Sequence, residues 1–482
     1  MGGPLGALRA GAVAVAALAI AANGAWAGSD TTPRRTPDRG SGASAVVAIM
    51  DSGINPYHTT FQDDSPLARK HPSTYISGYP KDAIALRLSL DEETYWEAVK
   101  KDCERVWDKI EPGKLYWFPG TKIIGAVTFS PQIEIDCKEA KPSENVDGRI
   151  IDAGGHGTMT ASRAASNEYG ACTECRIVAV QFSLSGFNKD DAIDAIRWGA
   201  KNSDWIDLQS NSWGPIAPLW EPTGQGQLMT ANPQLVRAVE DVSRRHLAFW
   251  ASGNGALFRW GALGHPTPIT PHLTPSAIMV GGHDSGYVAS WPGFPPHIVS
   301  DACNCWAAYH QEKAKSAATV GSGTSSATPF AAGGAARILL EARRILDDPS
   351  TGVSGGVVAR GRKGVVARGP LADGKLTLEE WKRLVFVSAT PRPKAQREDG
   401  PPCGVVDGLV LYSATPVKWS DVPPQYPEYL HIGYGAVDHP AVARAVKILE
   451  GTIQPPDRSA TDAYFERDRS IRETTYGAWS RP

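Results

Sequence analysis

The sequence predicts an α/β protein with a mostly parallel central sheet and helices on both faces. From Ser44 onward, short apolar runs alternate with helical patterns, the order that builds parallel sheets covered on both sides. At 482 residues the chain is long enough to bury a large core. Its 42% hydrophobic and 21% charged content is that of an ordinary globular protein.

The strand-like runs are, in order, Ala45–Met50, Ile123–Phe129, Arg176–Phe182, Ile206–Ser210 and Leu247–Ala251. Helical patterns cover Asp190–Lys201, Pro233–Arg245 and Ala327–Leu346. Asp51 follows the first run at once, which puts it just past the carboxyl end of a strand, where open α/β sheets place ligands. Pro329 fits the first turn of the last helix, where a missing N–H costs little. Residues 61–148 read as an insertion. Within it, Ser89-Leu90-Asp91-Glu92 has the form of a capping box opening a helix through Lys109. Trp96, Trp107, Tyr116 and Trp117 give the insertion either a recognition surface or simply an aromatic core. The stretch 347–369 is irregular and holds Gly356-Val357-Val358-Ala359-Arg360-Gly361, repeated as Gly364-Val365-Val366-Ala367-Arg368-Gly369. It reads as a β-hairpin or as a protease-sensitive loop.

The ends of the chain bound its compartment. Arg9 precedes the apolar run Ala10–Ile20, and Ala25-Trp26-Ala27 supplies small residues for cleavage, so residues 1–27 read as a secretory signal peptide. The rival, an uncleaved anchor, needs a span of about 20 apolar residues, and the run is shorter than that. Residues 28–43 form a flexible arm rich in Thr, Pro, Arg and Gly, and 451–482 form a charged, solvated tail. Secretion makes the seven cysteines disulfide candidates. Cys103 and Cys137 share the insertion, while Cys172/Cys175 and Cys303/Cys305 are close pairs whose four sulfurs are also a candidate zinc set. Net charge is −2 with no long basic run, which argues against nucleic acid and, after signal cleavage, against membrane as partners.

Four short motifs carry chemistry. They are Asp51-Ser52-Gly53, Gly155-His156-Gly157-Thr158, Ala251-Ser252-Gly253-Asn254-Gly255 and Gly323-Thr324-Ser325. A serine hydroxyl is a weak nucleophile until a neighbouring base takes its proton. His156 is the candidate base, because imidazole titrates near neutral pH. Asp51 would hold its tautomer and stabilise the imidazolium. The Asn254 amide and the Ser325 backbone N–H are candidate donors to an oxyanion. Each motif alone reads as a turn, a loop or a helix cap; the combination in this order is specific.

These segments resemble the subtilisin-like serine proteases, or subtilases, whose triad runs Asp…His…Ser. The resemblance implies a subtilisin-like fold over residues 44–450, with a disulfide-containing subdomain inserted at 61–148. It implies Asp51, His156 and Ser325 as catalytic residues and Asn254 in the oxyanion hole. It carries Ser212, Trp213 and Gly214 over to the strand that pairs with bound peptide, and Ala251, Ser252 and Gly253 to the facing wall of the specificity pocket. His58 matches a family histidine without a catalytic role. The implied activity is a secreted serine endopeptidase acting on polypeptides through an acyl-enzyme. Many secreted relatives carry a propeptide before the first strand, and the arm is too short to be one. The chemistry needs no cofactor and no metal; a structural calcium is left open, with no ligands assigned. The competing class is a catalytically silent binding protein on the same scaffold.

Overall fold

Val46–Asp51 (β1) is buried along its whole length, and its side chains divide between two cores. Ala45, Val47 and Ile49 enter one, Val46, Ala48 and Met50 the other. A strand covered on both faces reads as a continuous apolar run, which is why it was legible as such. The computed structural model describes residues 44–130, 137, 149–152, 154–183, 188–213, 233–252, 276–284, 287–288, 296–302, 305–308, 315–347, 353–354, 357–358, 369–372, 374, 376–391, 405–406, 409–410, 417–418 and 432–476.

Around β1 lie Ile84–Ala85 (β2), Tyr116–Trp117 (β3), Ile123–Thr128 (β4), Arg176–Gln181 (β5), Leu208–Asn211 (β6), Leu247–Ala251 (β7), Ile278–Asp284 (β8), Tyr287–Val288 (β9) and Ile298–Asp301 (β10). The sheet runs Val417–Lys418, β9, β8, β7, β6, β1, β5, β4, β3, β2, with β10 also paired to β8. The central pairings from β4 to β8, and β10 on β8, are parallel; β3 on β4, β9 on β8 and Val417–Lys418 on β9 are antiparallel. The chain therefore leaves β1 to build β4 and β5 on one side, then crosses to β6 on the other.

Helices cover both faces, as expected. Lys189–Lys201 (α3) and Pro233–Ser243 (α4) cover one core; His156–Ala165 (α2), Thr324–Asp347 (α5), Leu378–Ser388 (α6) and His439–Leu449 (α7) cover the other. The remaining helices are Tyr95–Asp102 (α1) and Ser459–Tyr476 (α8). Cys305–Ala308 (β11) pairs antiparallel with Ala318–Gly321 (β12) just before α5. Among the described residues, no helix is long and apolar enough to cross a membrane.

Three local readings need correction. The insertion helix starts at Tyr95 behind Thr94, whose side chain accepts from the Glu97 N–H, and it ends at Asp102. Ser89 does not cap it because its hydroxyl donates to the buried Asp102 carboxylate at 2.7 Å. That carboxylate also accepts from Tyr57 (2.8 Å), so a long-range bond outcompetes the local box. Pro329 is the sixth residue of α5, beyond its first turn, because the helix begins at Thr324. In the irregular stretch Val357–Val358 pairs back with Val353–Ser354, a short hairpin, while 359–368, which hold most of the second copy of the repeat, lie outside the described residues. The tail is not wholly solvated, since Phe465 of α8 is buried against His297 and Tyr434, with ring centroids 4.7 and 5.4 Å away.

Within the insertion, Trp107, Tyr116 and Trp117 are buried, so three of the four aromatics singled out above serve as core. Cys103–Cys137 and Cys172–Cys175 form disulfides. Cys303 and Cys403 lie outside the described residues.

Candidate active site

Asp51 ends β1 and is buried, with its carboxylate facing the first turn of α2. His156 opens that helix, and its Nδ1 stands 2.7 Å from Asp51 Oδ1. The carboxylate also accepts from the Ser52 N–H (2.8 Å, Oδ1) and the Thr160 hydroxyl (3.3 Å, Oδ2). With Nδ1–H donated to Asp51, Nε2 is the nitrogen free to take a proton. Burial works against the imidazolium, but the Asp51 charge, its hydrogen bond and the Asp152 charge outweigh that, so the His156 pKa is raised.

The residue that fixes this helix start escaped the sequence reading. Asp152 is fully buried; its Oδ1 accepts from the Ser52 hydroxyl and the Gly155 N–H, both at 2.8 Å, and Oδ2 accepts from the Thr158 N–H at 2.6 Å. Ser52 Oγ in turn accepts from the Gly157 N–H at 2.9 Å. One carboxylate and one hydroxyl thus satisfy three of the orphan donors at the start of α2. The sequence reading placed no helix after Gly155, so an aspartate four residues before His156 gave no capping signal to act on.

Glycines bring the two motifs together. A Cβ on Gly157 would lie 2.9 Å from the Gly53 nitrogen and closer still to its carbonyl oxygen. Gly53 itself has φ +127°, a conformation that L side chains rarely adopt. Nearby, Ile150 holds φ +78° while fully buried, the one such non-glycine among the described residues.

Ser325 lies in the first turn of α5, half-buried. Its hydroxyl donates to the Ser212 carbonyl at 3.1 Å, and the Ser212 hydroxyl donates to the Ser325 carbonyl at 3.0 Å. Ser212 directly follows β6, next to β1, with Met50 opposite Asn211. Asp51 and Ser212 therefore lie side by side at the carboxyl edge of the sheet. The Ser325 hydroxyl is bonded to the Ser212 carbonyl, a bond it would have to give up to hand its proton to Nε2.

The other predicted residues divide. Trp213 is 7% exposed and packs against Phe182 and Trp250, with ring centroids 4.8 and 5.1 Å away, so its ring belongs to the core beside the strand end. Ala251 and Ser252 are buried at the end of β7. Gly214, Gly253 and Asn254 lie outside the described residues. His58 is a buried brace: Nδ1 accepts from the Thr60 N–H (3.1 Å), and Nε2 lies 2.8 Å from the Ala317 carbonyl. Among the described residues, no group of His, Cys, Asp or Glu is placed to hold a metal ion.

The fold is subtilisin-like, and it brings Asp51, His156 and the Ser212–Ser325 pair to the carboxyl edge of the sheet. Residues 42–349 match the subtilase family, and the chain belongs to it. Solved structures similar to the chain include a cold-adapted subtilisin-like serine proteinase, 18% identical over 64% of this chain and 80% of its own, with a TM-score of 0.37. The epidermin leader peptide processing serine protease of Staphylococcus aureus is 13% identical over 86% and 77%, TM-score 0.45. The prenylagaramide maturation protease is 15% identical over 85% and 94%, TM-score 0.42. Comparison with curated proteins finds no match.

Proposed function

We propose that the protein is a secreted serine endopeptidase using Asp51, His156 and Ser325. The observation that carries this reading is the 2.7 Å pairing of a buried Asp51 with His156 at the sheet edge where Ser325 is also anchored. Ser325 Oγ attacks the peptide carbonyl carbon while its proton passes to His156 Nε2, forming a tetrahedral oxyanion. The oxyanion collapses with cleavage of the C–N bond, and His156 returns the proton to the leaving amine. Water then attacks the Ser325 ester, losing a proton to His156; the ester C–O bond breaks, His156 returns that proton to Ser325 Oγ, and the acid is released. Asn254 and the Ser325 N–H are the proposed oxyanion donors, and Asn254→Ala is expected to slow the reaction by about 10²–10³. Secretion rests on residues 1–27, which have the signal-peptide pattern.

The test is a fluorophosphonate probe on protein lacking residues 1–27, with Ser325→Ala as control. Labelling lost in the control supports the activated serine. A folded but unlabelled parent chain would instead identify a binding protein on a subtilase scaffold.

A further inference from the structure

Pro329 creates a defect directly behind Ser325. In a regular helix the carbonyl of residue i accepts from the N–H of residue i+4, so the Ser325 carbonyl should be bonded from position 329. Proline has no N–H, and its ring crowds the carbonyl four residues back. The Ser325 carbonyl is therefore denied its helical partner inside α5. Ser212 stands at this defect. Its hydroxyl donates to the Ser325 carbonyl at 3.0 Å. Ser212 is only 6% exposed, so bulk water has little access to take over that bond. The neighbouring bonds are intact: the Ser326 N–H donates to the Gly323 carbonyl at 3.0 Å, and the Thr328 hydroxyl to the Thr324 carbonyl at 2.7 Å.

We propose that Ser212 is a positioning residue for the reaction, its hydroxyl replacing the helix donor that Pro329 lacks. The inference rests on Ser325 being the nucleophile. The Ser325 carbonyl shares its Cα with the side chain that must reach His156, so tilting that peptide unit swings the hydroxyl. The role is separate from any contact between substrate and the Ser212 main chain, because a side-chain substitution leaves the main-chain carbonyl in place.

The experiment is a double-mutant cycle read by fluorophosphonate labelling, with the maximal rate (kinact) separated from half-saturation (KI). Ser212→Ala in the parent chain should lower kinact about tenfold, equivalent to about 1.4 kcal/mol, and leave KI unchanged. In the Pro329→Ala chain the restored amide donates to the Ser325 carbonyl, so the same Ser212→Ala change should cost less than about twofold. Equal losses in both backgrounds, or a change confined to KI, would overturn the proposal while leaving Ser325 as nucleophile. A parent chain that does not label removes both readings. If Ser212→Ala cannot be purified folded, Ser212→Cys puts a weak donor in nearly the same volume and is read in the same two backgrounds with the same criteria.

Discussion

Ser212 and Ser325 are joined by two hydrogen bonds running in opposite directions, hydroxyl to carbonyl each way, at 3.0 and 3.1 Å. This couples the start of α5 to the end of β6. Because β6 lies beside β1 in parallel register, Asp51 and Ser212 sit about one strand spacing apart, about 4.8 Å. One strand end, through Asp51, holds the proposed base, and its neighbour holds the proposed nucleophile. The relative placement of His156 and Ser325 is thus set by sheet geometry, with each helix fastened at its first turn.

Close packing of Gly157 on Gly53 is the second fastening, and Gly157→Ala tests it. The added methyl has no room, since the nearest atoms are backbone of a residue with positive φ. Either the turn after Asp51 or the start of α2 must shift, and overpacking of this kind costs about 1–3 kcal/mol. Urea denaturation should show that loss, and fluorophosphonate labelling should fall at least about tenfold. Labelling at the parent rate would mean that the Asp51–His156 pairing does not depend on this contact.

The proposed reaction needs His156 neutral, and its pKa is raised above 6.5 because the charges of Asp51 and Asp152 outweigh the effect of burial. Labelling should therefore rise with pH through a midpoint above 6.5. Asp152→Asn removes one charge favouring the imidazolium while keeping an acceptor oxygen, so the midpoint should move to lower pH. The measurement is the labelling rate against pH for both proteins. An unmoved midpoint would reduce Asp152 to a helix anchor.

Much of this site was legible because its residues sit in local motifs beside strong secondary-structure patterns. Asp51 follows an apolar run buried on both faces, and the glycines of Gly155-His156-Gly157 mark a close approach. Asp152 was not legible, because its partners include Ser52, one hundred residues away in sequence. The α5 start was set too late, since apolar periodicity begins at Ala327 while Thr324 to Ser326 are polar residues buried or half-buried by tertiary contacts. Docking of α8 was hidden because Phe465 is one aromatic among many charges, and its stacking partners come from distant segments.

His246 predicts an acid sensitivity separate from catalysis. It is buried, with Nε2 3.3 Å from Gln209 Oε1, and burial pushes its pKa down to about 4, against the backbone of Ile206. The unfolded chain, with an ordinary value of 6.5, then binds a proton first on acidification. Stability from the neutral imidazole is full above 6.5 and lost as pH falls towards 4, by up to about 3 kcal/mol. His246→Leu should flatten this part of the stability–pH curve in urea melts at pH 7 and 4.5. An unchanged slope would place the acid sensitivity in other groups.

The docking of α8 separates stability from chemistry. Phe465 stacks on His297 and Tyr434, while Asp462 accepts from the Tyr434 hydroxyl at 2.6 Å and from Arg383 at 2.8 Å. His297 immediately precedes β10, which runs parallel to β8 and, through β7 and β6, to β1. Its position is thus at the amino end of the strands, opposite the carboxyl edge that carries Asp51. Phe465→Ala removes a buried aromatic, a loss of about 3–5 kcal/mol where it cannot be repacked. Undocking the helix relieves that loss at the cost of exposing α8, whose arginines trypsin can then reach. Limited proteolysis should therefore cut Phe465→Ala within α8 well before the parent chain, while its labelling rate stays within about twofold of the parent's. Labelling that collapses as the helix is cut would show that α8 supports the reacting residues across the sheet, against the separation of the two ends.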